Sequence, residues 1–473
     1  MPRMNVPSAL VRRWLGLALS CGVLPVVLAG PIVPVASPAG NAAPSAPEVP
    51  SPVPQVPQQA GQEAPPPPVS ASAQRIYERS RGQLVQIRTL VKGQSSQATV
   101  GSGFVITPDG HLITNYHVVS QVALQPERYQ LVYSTAEGDE GPLDLLAFDA
   151  IHDVALVRAA GPGLRGLAPL NFRAKQKVLS KGERIFSLGN PLDVGFAVVE
   201  GNYNGLVERS FYPSIFFAGS LNPGMSGGPA LDEHGEVIGV NVATRRDGQQ
   251  VSFLVPAEYA RTLLERGRNA APIRQAVYAQ LTAQLMTHQQ ELTDRFLQLP
   301  WRSPSHPRYV IPVPQENFMR CWGNTTPADA KGLEFERSDC EMDTHIFVSE
   351  TLYTGGLSVR HEAYDGRKLG PWRFSSQYSA SFRNEAFSER TTRNRTAAQC
   401  EERFVEQAGL PLRAVLCMSA YRKLPGLYDI SVLVAALDQP TAGAQGRFDA
   451  RGVSFDNAMK LARYYLEGYA WKN

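Results

Sequence analysis

The 473-residue chain has little cysteine, little net charge and only one long apolar run, and each shortage narrows the problem. Five cysteines are too few for a disulfide-scaffolded miniature fold, and no C-x-x-C pair suggests a structural zinc site. A net charge of +3 over this length leaves no basic footprint for nucleic acid and no polybasic membrane patch. With 43% hydrophobic and 19% charged residues the chain is neither disordered nor fibrous overall, and its length calls for two or three modules.

The apolar run lies at the start. Arg12 and Arg13 precede Trp14 to Ala29, and Val27-Leu28-Ala29 offers a small-residue cleavage site. Residues 1–30 therefore read as a secretory signal peptide, with a retained membrane anchor as the alternative because the run is only slightly short of a span. Cys21 follows Ala18-Leu19-Ser20, a poor lipobox, so lipidation is set aside. Either reading exports the protein to the periplasm or beyond the cell, tethered at the inner membrane if the anchor is kept. Residues 31–72, rich in Pro and Ala and including Pro65-Pro66-Pro67-Pro68, cannot bury enough apolar area to fold and read as a disordered, extended linker.

Export changes the meaning of Cys321, Cys340, Cys400 and Cys417, which all fall in the C-terminal third. An even number in an oxidising compartment suggests two disulfides, and the sequence-local pairing Cys321–Cys340 and Cys400–Cys417 is the simplest of three connectivities. His345 and His361 keep zinc as a weaker competitor. No metal and no cofactor is expected.

Between residues 73 and 268 short apolar runs alternate with Gly, Pro, Asp and Asn, among them Gly103-Phe104-Val105-Ile106, Val154-Ala155-Leu156-Val157 and Val237-Ile238-Gly239-Val240. That pattern predicts an all-β barrel or sandwich, with Asp232-Glu233-His234-Gly235 as a hairpin turn. Ile273, Val277, Leu281, Leu285, Leu292 and Phe296 recur at helical spacing and predict an amphipathic connector over 269–300. Residues 301–473 return to strand-like runs and end in a helix capped by Ser454. Trp322 and Trp372 there read as core aromatics ahead of a ligand surface.

Three segments carry chemistry together: Thr114-Asn115-Tyr116-His117-Val118-Val119, His152-Asp153-Val154-Ala155, and Asn222-Pro223-Gly224-Met225-Ser226-Gly227-Gly228-Pro229. A serine hydroxyl needs a base to take its proton, and imidazole suits that role near neutral pH. The imidazole needs a carboxylate on its other nitrogen, and the tetrahedral intermediate needs N–H donors aimed at its oxyanion. His117, Asp153 and Ser226 are the candidate catalytic set, and the N–H groups of Gly224 and Ser226 are the candidate oxyanion hole. A lone His or Asp in a β-rich region is usually structural. The glycine-flanked serine is specific, and the three in order are more so.

Residues 84 to 262 resemble the protease domain of the trypsin/chymotrypsin clan, in particular its bacterial Deg/HtrA-type branch. The resemblance rests on Gly101-Ser102-Gly103-Phe104-Val105-Ile106, Thr114-Asn115-Tyr116-His117, Asp153-Val154-Ala155-Leu156-Val157, Leu188-Gly189-Asn190-Pro191, Gly224-Met225-Ser226-Gly227-Gly228-Pro229 and Gly235-Glu236-Val237-Ile238-Gly239-Val240-Asn241. It implies a chymotrypsin-like fold of two six-stranded antiparallel β-barrels, followed here by the helical connector and a disulfide-bearing α+β domain. It also implies a serine endopeptidase acting on exported or unfolded polypeptides. By family placement Ser220 lies near the floor of the primary pocket and Gly239, Val240 and Asn241 near its wall. With no acidic residue at that floor, a modest apolar side chain is the expected choice. Met225 departs from the Asn or Asp usual before the nucleophile, and no PDZ module is recognisable after the protease. Chaperone behaviour and higher-order assembly therefore do not transfer, and oligomeric state stays open. The alternative is a protease-fold scaffold, weak or inactive, whose C-terminal domain carries a binding role.

Overall fold

Apolar strands of three to ten residues, bounded by turn chemistry, close on themselves twice. The computed structural model describes residues 70–472 apart from 245–249, 305, 307, 328, 344, 385, 386, 388 and 389. The expected signal or anchor (1–30) and nearly all of the proline-rich linker lie outside the described residues. Among the described residues no helix is long and apolar enough to cross a membrane. Helix α1 (Ala71–Ser80) starts slightly ahead of the expected boundary because Ser70 caps it, its Oγ accepting from the Ala73 N–H at 3.1 Å.

The first barrel comprises β1 (Leu84–Val91), β2 (Gln97–Val105), β3 (His111–Thr114), β4 (Tyr129–Thr135), β5 (Glu140–Asp149) and β6 (Val154–Ala159). It closes antiparallel in the order β1-β2-β3-β6-β5-β4. Helix α2 (Tyr116–Leu124) fills the connection from β3 to β4. Next come β7 (Asn171–Phe172), β8 (Arg184–Gly189), β9 (Ala197–Leu206), β10 (Ile215–Ala218), β11 (Pro229–Leu231), β12 (Glu236–Thr244) and β13 (Ser252–Pro256). Strands β8 to β13 form the second antiparallel barrel, which a β11–β12 pairing closes, and β7 adds a short parallel partner to β12. The turn at Asp232–Gly235 forms as expected. The Asp232 carboxylate accepts from the N–H groups of His234 and Glu236, both at 2.9 Å.

Helix α3 (Ala257–Gly267) precedes the connector helix α4 (Tyr278–Gln298). The connector begins later than its apolar repeat suggests. Ile273 belongs to an irregular segment whose N–H donates to the Leu145 carbonyl at 2.7 Å. The apolar stripe then divides: Leu281 and Leu285 join the core of the first barrel, while Leu292 and Phe296 join that of the C-terminal domain.

That domain contains β14 (Tyr309–Val310), β15 (Met319–Thr325), β16 (Glu334–Met342), β17 (Ile346–Ser349), β18 (Leu352–Thr354), β19 (Leu357–Asp365), α5 (Pro371–Ser381), β20 (Gln399–Gln407), β21 (Leu410–Ala420), β22 (Tyr428–Ala436), β23 (Ala442–Val453), α6 (Phe455–Glu467) and β24 (Ala470–Trp471). Seven strands form one antiparallel sheet in the order β15-β16-β19-β23-β22-β21-β20. Helix α6, capped by Ser454, packs with α4 on it, burying Phe296, Phe448 and Tyr465 together. Strands β17 and β18 form a separate hairpin. Trp322 and Trp372 are 65% and 90% exposed, so the expectation that they are core fails: one stands on edge strand β15, the other at the free first turn of α5.

Both disulfides pair as the local connectivity anticipates, Cys321 with Cys340 and Cys400 with Cys417. In each the two cysteines are direct cross-strand partners, so each bridge ties an edge strand, β15 or β20, to its neighbour. Edge strands have partners on one side only and fray first. Replacing Cys400 and Cys417 by Ser should cost the C-terminal domain about 3 kcal/mol. Denaturant unfolding of the oxidised protein, compared with the double variant, measures the loss.

Candidate active site

His117 is the second residue of α2, and Asp153 immediately precedes β6. Asp153 has φ +54°, a left-handed conformation that Asp tolerates better than most residues. Three hydrogen bonds hold it there. Buried Asn115 donates through Nδ2 to the Asp153 carbonyl at 2.7 Å, and the His117 backbone N–H donates to Oδ1 at 2.9 Å. Oδ2 then faces His117 Nδ1 at 2.7 Å. This contact places the ring proton on Nδ1 and leaves Nε2 as the free base. Burial pushes the imidazole pKa down, but the charge and hydrogen bond of Asp153 outweigh it, and the net shift is upward from 6.5.

The serine sits in a turn that only glycine can build. Gly224 has φ +94°, and a Cβ there would lie 2.4 Å from the Asn190 carbonyl oxygen. Gly227 has φ +88°, and its Cβ would lie 2.2 Å from the Ser102 carbonyl oxygen. The amides of Met225, Gly227 and Gly228 donate to Asn222, Asn241 and Met225 carbonyls. Those of Gly224 and Ser226 find no acceptor among the described residues. Two donors thus flank the Met225 peptide without an acceptor among the described residues. Met225 itself is wholly buried in the second barrel with Ile185, Phe217 and Leu254. Its departure from Asp or Asn is an apolar anchor beneath the loop and leaves the donors untouched.

The first barrel grips this loop through Ser102, whose N–H donates to the Ser226 carbonyl and whose Oγ donates to the Gly224 carbonyl, both at 2.7 Å. A Cβ on neighbouring Gly101 would touch Val118 of α2 and the Ser226 carbonyl alike, which sets the serine loop against the helix bearing His117. The geometry is incomplete in one respect. The half-buried Ser226 hydroxyl donates to the Val242 carbonyl at 3.1 Å, and no hydrogen bond joins it to His117.

The expected pocket residues divide. Ser220 is exposed after β10, and Gly239 is buried in the strand pairing. Val240 and Asn241 do not present side chains to a pocket, which corrects the sequence reading. Both side chains are fully buried in packed interiors. Val240 lies in the core with Phe186 and Leu188. Asn241 accepts from Ser187 Oγ at 2.7 Å and donates to the carbonyls of Leu188 and Met225 at 2.9 and 3.2 Å, bracing the serine loop from beneath. In the C-terminal domain the disulfides consume Cys321, Cys340, Cys400 and Cys417. His361 is occupied by the Pro312 carbonyl and by the Tyr469 hydroxyl at 3.1 Å, and the zinc alternative is dropped. Sequence reasoning missed Phe347, whose ring stands edge-on to His117 at 6.0 Å. Its only signal was its place within an apolar strand.

Residues 101–240 match the family model described as the trypsin-like peptidase domain. A protein of Ectopseudomonas mendocina named "Probable periplasmic serine endoprotease DegP-like" is 32% identical over 180 residues, 37% of this chain and 36% of its own length. One of Halomonas elongata with the same name is 31% identical over 178 residues, 36% of this chain and 35% of its own length. Among solved structures, Deg5 aligns at 26% identity over 40% of this chain and 91% of that one, with a TM-score of 0.35. The chain therefore contains a trypsin-like peptidase domain, the class of a serine endopeptidase. Within that class the domain is similar to those DegP-like relatives, and the match spans about a third of the length of the curated relatives.

The two opposed influences on His117 can be separated. Asp153→Asn removes the charge that raises its pKa and leaves the burial that lowers it. The ring should titrate above 6.5 in the wild type and below 6.5 in the variant, followed by NMR of its ring protons.

Proposed function

We propose that the chain is an exported serine endopeptidase that cleaves polypeptides through Ser226, His117 and Asp153. The observation that carries this reading is the pairing of His117 with Asp153 beside a serine loop in which the Gly224 and Ser226 amides have no acceptor among the described residues. His117 Nε2 takes the Ser226 proton as Oγ attacks the scissile carbonyl carbon. The carbonyl oxygen becomes an oxyanion and accepts from Gly224 and Ser226, each donor being worth about 3 kcal/mol of barrier. The imidazolium, stabilised by Asp153, then protonates the departing amine. Water, deprotonated by the same imidazole, hydrolyses the acyl-enzyme and restores the serine.

Oγ must first leave the Val242 carbonyl, a rotation about one side-chain bond. That contact also supports the second reading, a protease-fold scaffold in which the hydroxyl stays turned away. The periplasmic names of the relatives support a role outside the cytoplasm, as does the leader-like run, and two disulfides suit an oxidising compartment. Exported or unfolded polypeptides are the substrate class this implies.

A fluorophosphonate probe should label the wild type and spare Ser226→Ala. Casein cleavage should fall by roughly 10⁴-fold or more in His117→Ala. Failure to label the wild type would select the scaffold reading. Since catalysis needs neutral His117 and its pKa is raised, the acid limb of kcat/KM should lie above 6.5, so activity is lost as pH falls through that limb.

A further inference from the structure

The hairpin of β17 and β18 belongs to the C-terminal domain by sequence but to the protease by position. Ile346, Val348 and Leu352 are buried in the same cluster as Tyr116 and Val119 of α2. Tyr116 donates its hydroxyl to the Val348 carbonyl at 3.1 Å, and Gln121 Nε2 donates to Glu350 at 2.7 Å. The hairpin is thus pinned to the helix that carries His117.

Strand alternation decides what it presents. With Ile346 and Val348 turned into the core, Phe347 lies on the opposite face of the strand, its ring packed at the edge of that core against Tyr116 at 6.2 Å. It meets its cross-strand partner Tyr353 edge-on at 5.4 Å and the His117 ring at 6.0 Å. These rings wall a cleft of about 700 Å³ whose lining includes His117, Val242, Tyr212, Phe253, Phe347 and Tyr353. Phe347 is half-buried and Tyr353 is 50% exposed, so both leave apolar ring surface open to the cleft.

We infer that the C-terminal domain forms part of the substrate site: Phe347, with Tyr353, walls a subsite that takes an apolar side chain at the second residue before the scissile bond. The inference rests on the protease reading above. Val242, whose carbonyl accepts the Ser226 hydroxyl, lines the same cleft as Phe347, so an acyl group attached at Ser226 would enter the cleft beside both. Side chains of an extended peptide alternate in direction. With the cut residue facing the second barrel, alternation would turn the one before it toward the His117 ring and hence Phe347. A ring pair beside the base also keeps water from the His117–Asp153 contact when that subsite is filled.

The test uses the full chain and two fluorogenic peptides that differ only in leucine or glycine at that position. Wild type should favour leucine by about tenfold or more in kcat/KM. Phe347→Ala should bring the ratio near one, Phe347→Leu should retain most of it, and Tyr353→Ala should lower it in part. A flat wild-type ratio would overturn the inference. So would Phe347→Ala slowing both peptides equally, since a mere cover over His117 would do that. Fluorophosphonate labelling of the same wild-type sample separates the two levels. No labelling removes the protease reading and the subsite with it, whereas labelling with a flat ratio removes the subsite alone.

Discussion

Two hydrogen bonds from one residue hold the two halves of the site together. Ser102, on β2 of the first barrel, gives its amide to the Ser226 carbonyl and its hydroxyl to the Gly224 carbonyl. Asn190 N–H in turn donates to the Ser102 hydroxyl at 2.9 Å, so this side chain is bonded on both sides. Because the acceptors are main-chain atoms of the serine turn, the contact fixes backbone position and leaves the Ser226 side chain free to rotate. The catalytic groups come from different barrels, and this clamp bonds the backbone of the serine turn to the first barrel twice over, which holds the imidazole and the hydroxyl in register.

The glycines answer to the same clamp. A Cβ at Gly227 would collide with the Ser102 carbonyl, and one at Gly224 with the Asn190 carbonyl. Close approach of backbone to backbone is therefore what the string around Ser226 encodes, and the pair of unbonded amides follows from it. Asn241 supplies the matching support from below.

The barrels and the His117–Asp153 pair were legible because each depends on local pattern: strand lengths, turn residues and an acid at the lip of an apolar run. The edge-strand disulfides were legible because cross-strand neighbours joined by a short hairpin are also close in sequence. Other features escaped for a common reason, that they depend on which face of a strand meets which neighbour. Asn241 looked like a pocket wall until its amide proved to be buried and bonded to Ser187, Leu188 and Met225. Trp322 and Trp372 looked like core until one fell on an edge and the other on an exposed helix start. Phe347 could not be found at all, since its partner His117 lies 230 residues away along the chain.

The divided stripe of helix α4 bears on how the molecule can be taken apart. A fragment beginning after residue 300 would leave the C-terminal sheet without Leu292 and Phe296, each worth about 1.5–3 kcal/mol of burial. A protease fragment ending before the helix would likewise lose Leu281 and Leu285. One rod serves as keystone to both halves, and a cut at either of its ends strips one of them of part of its interior.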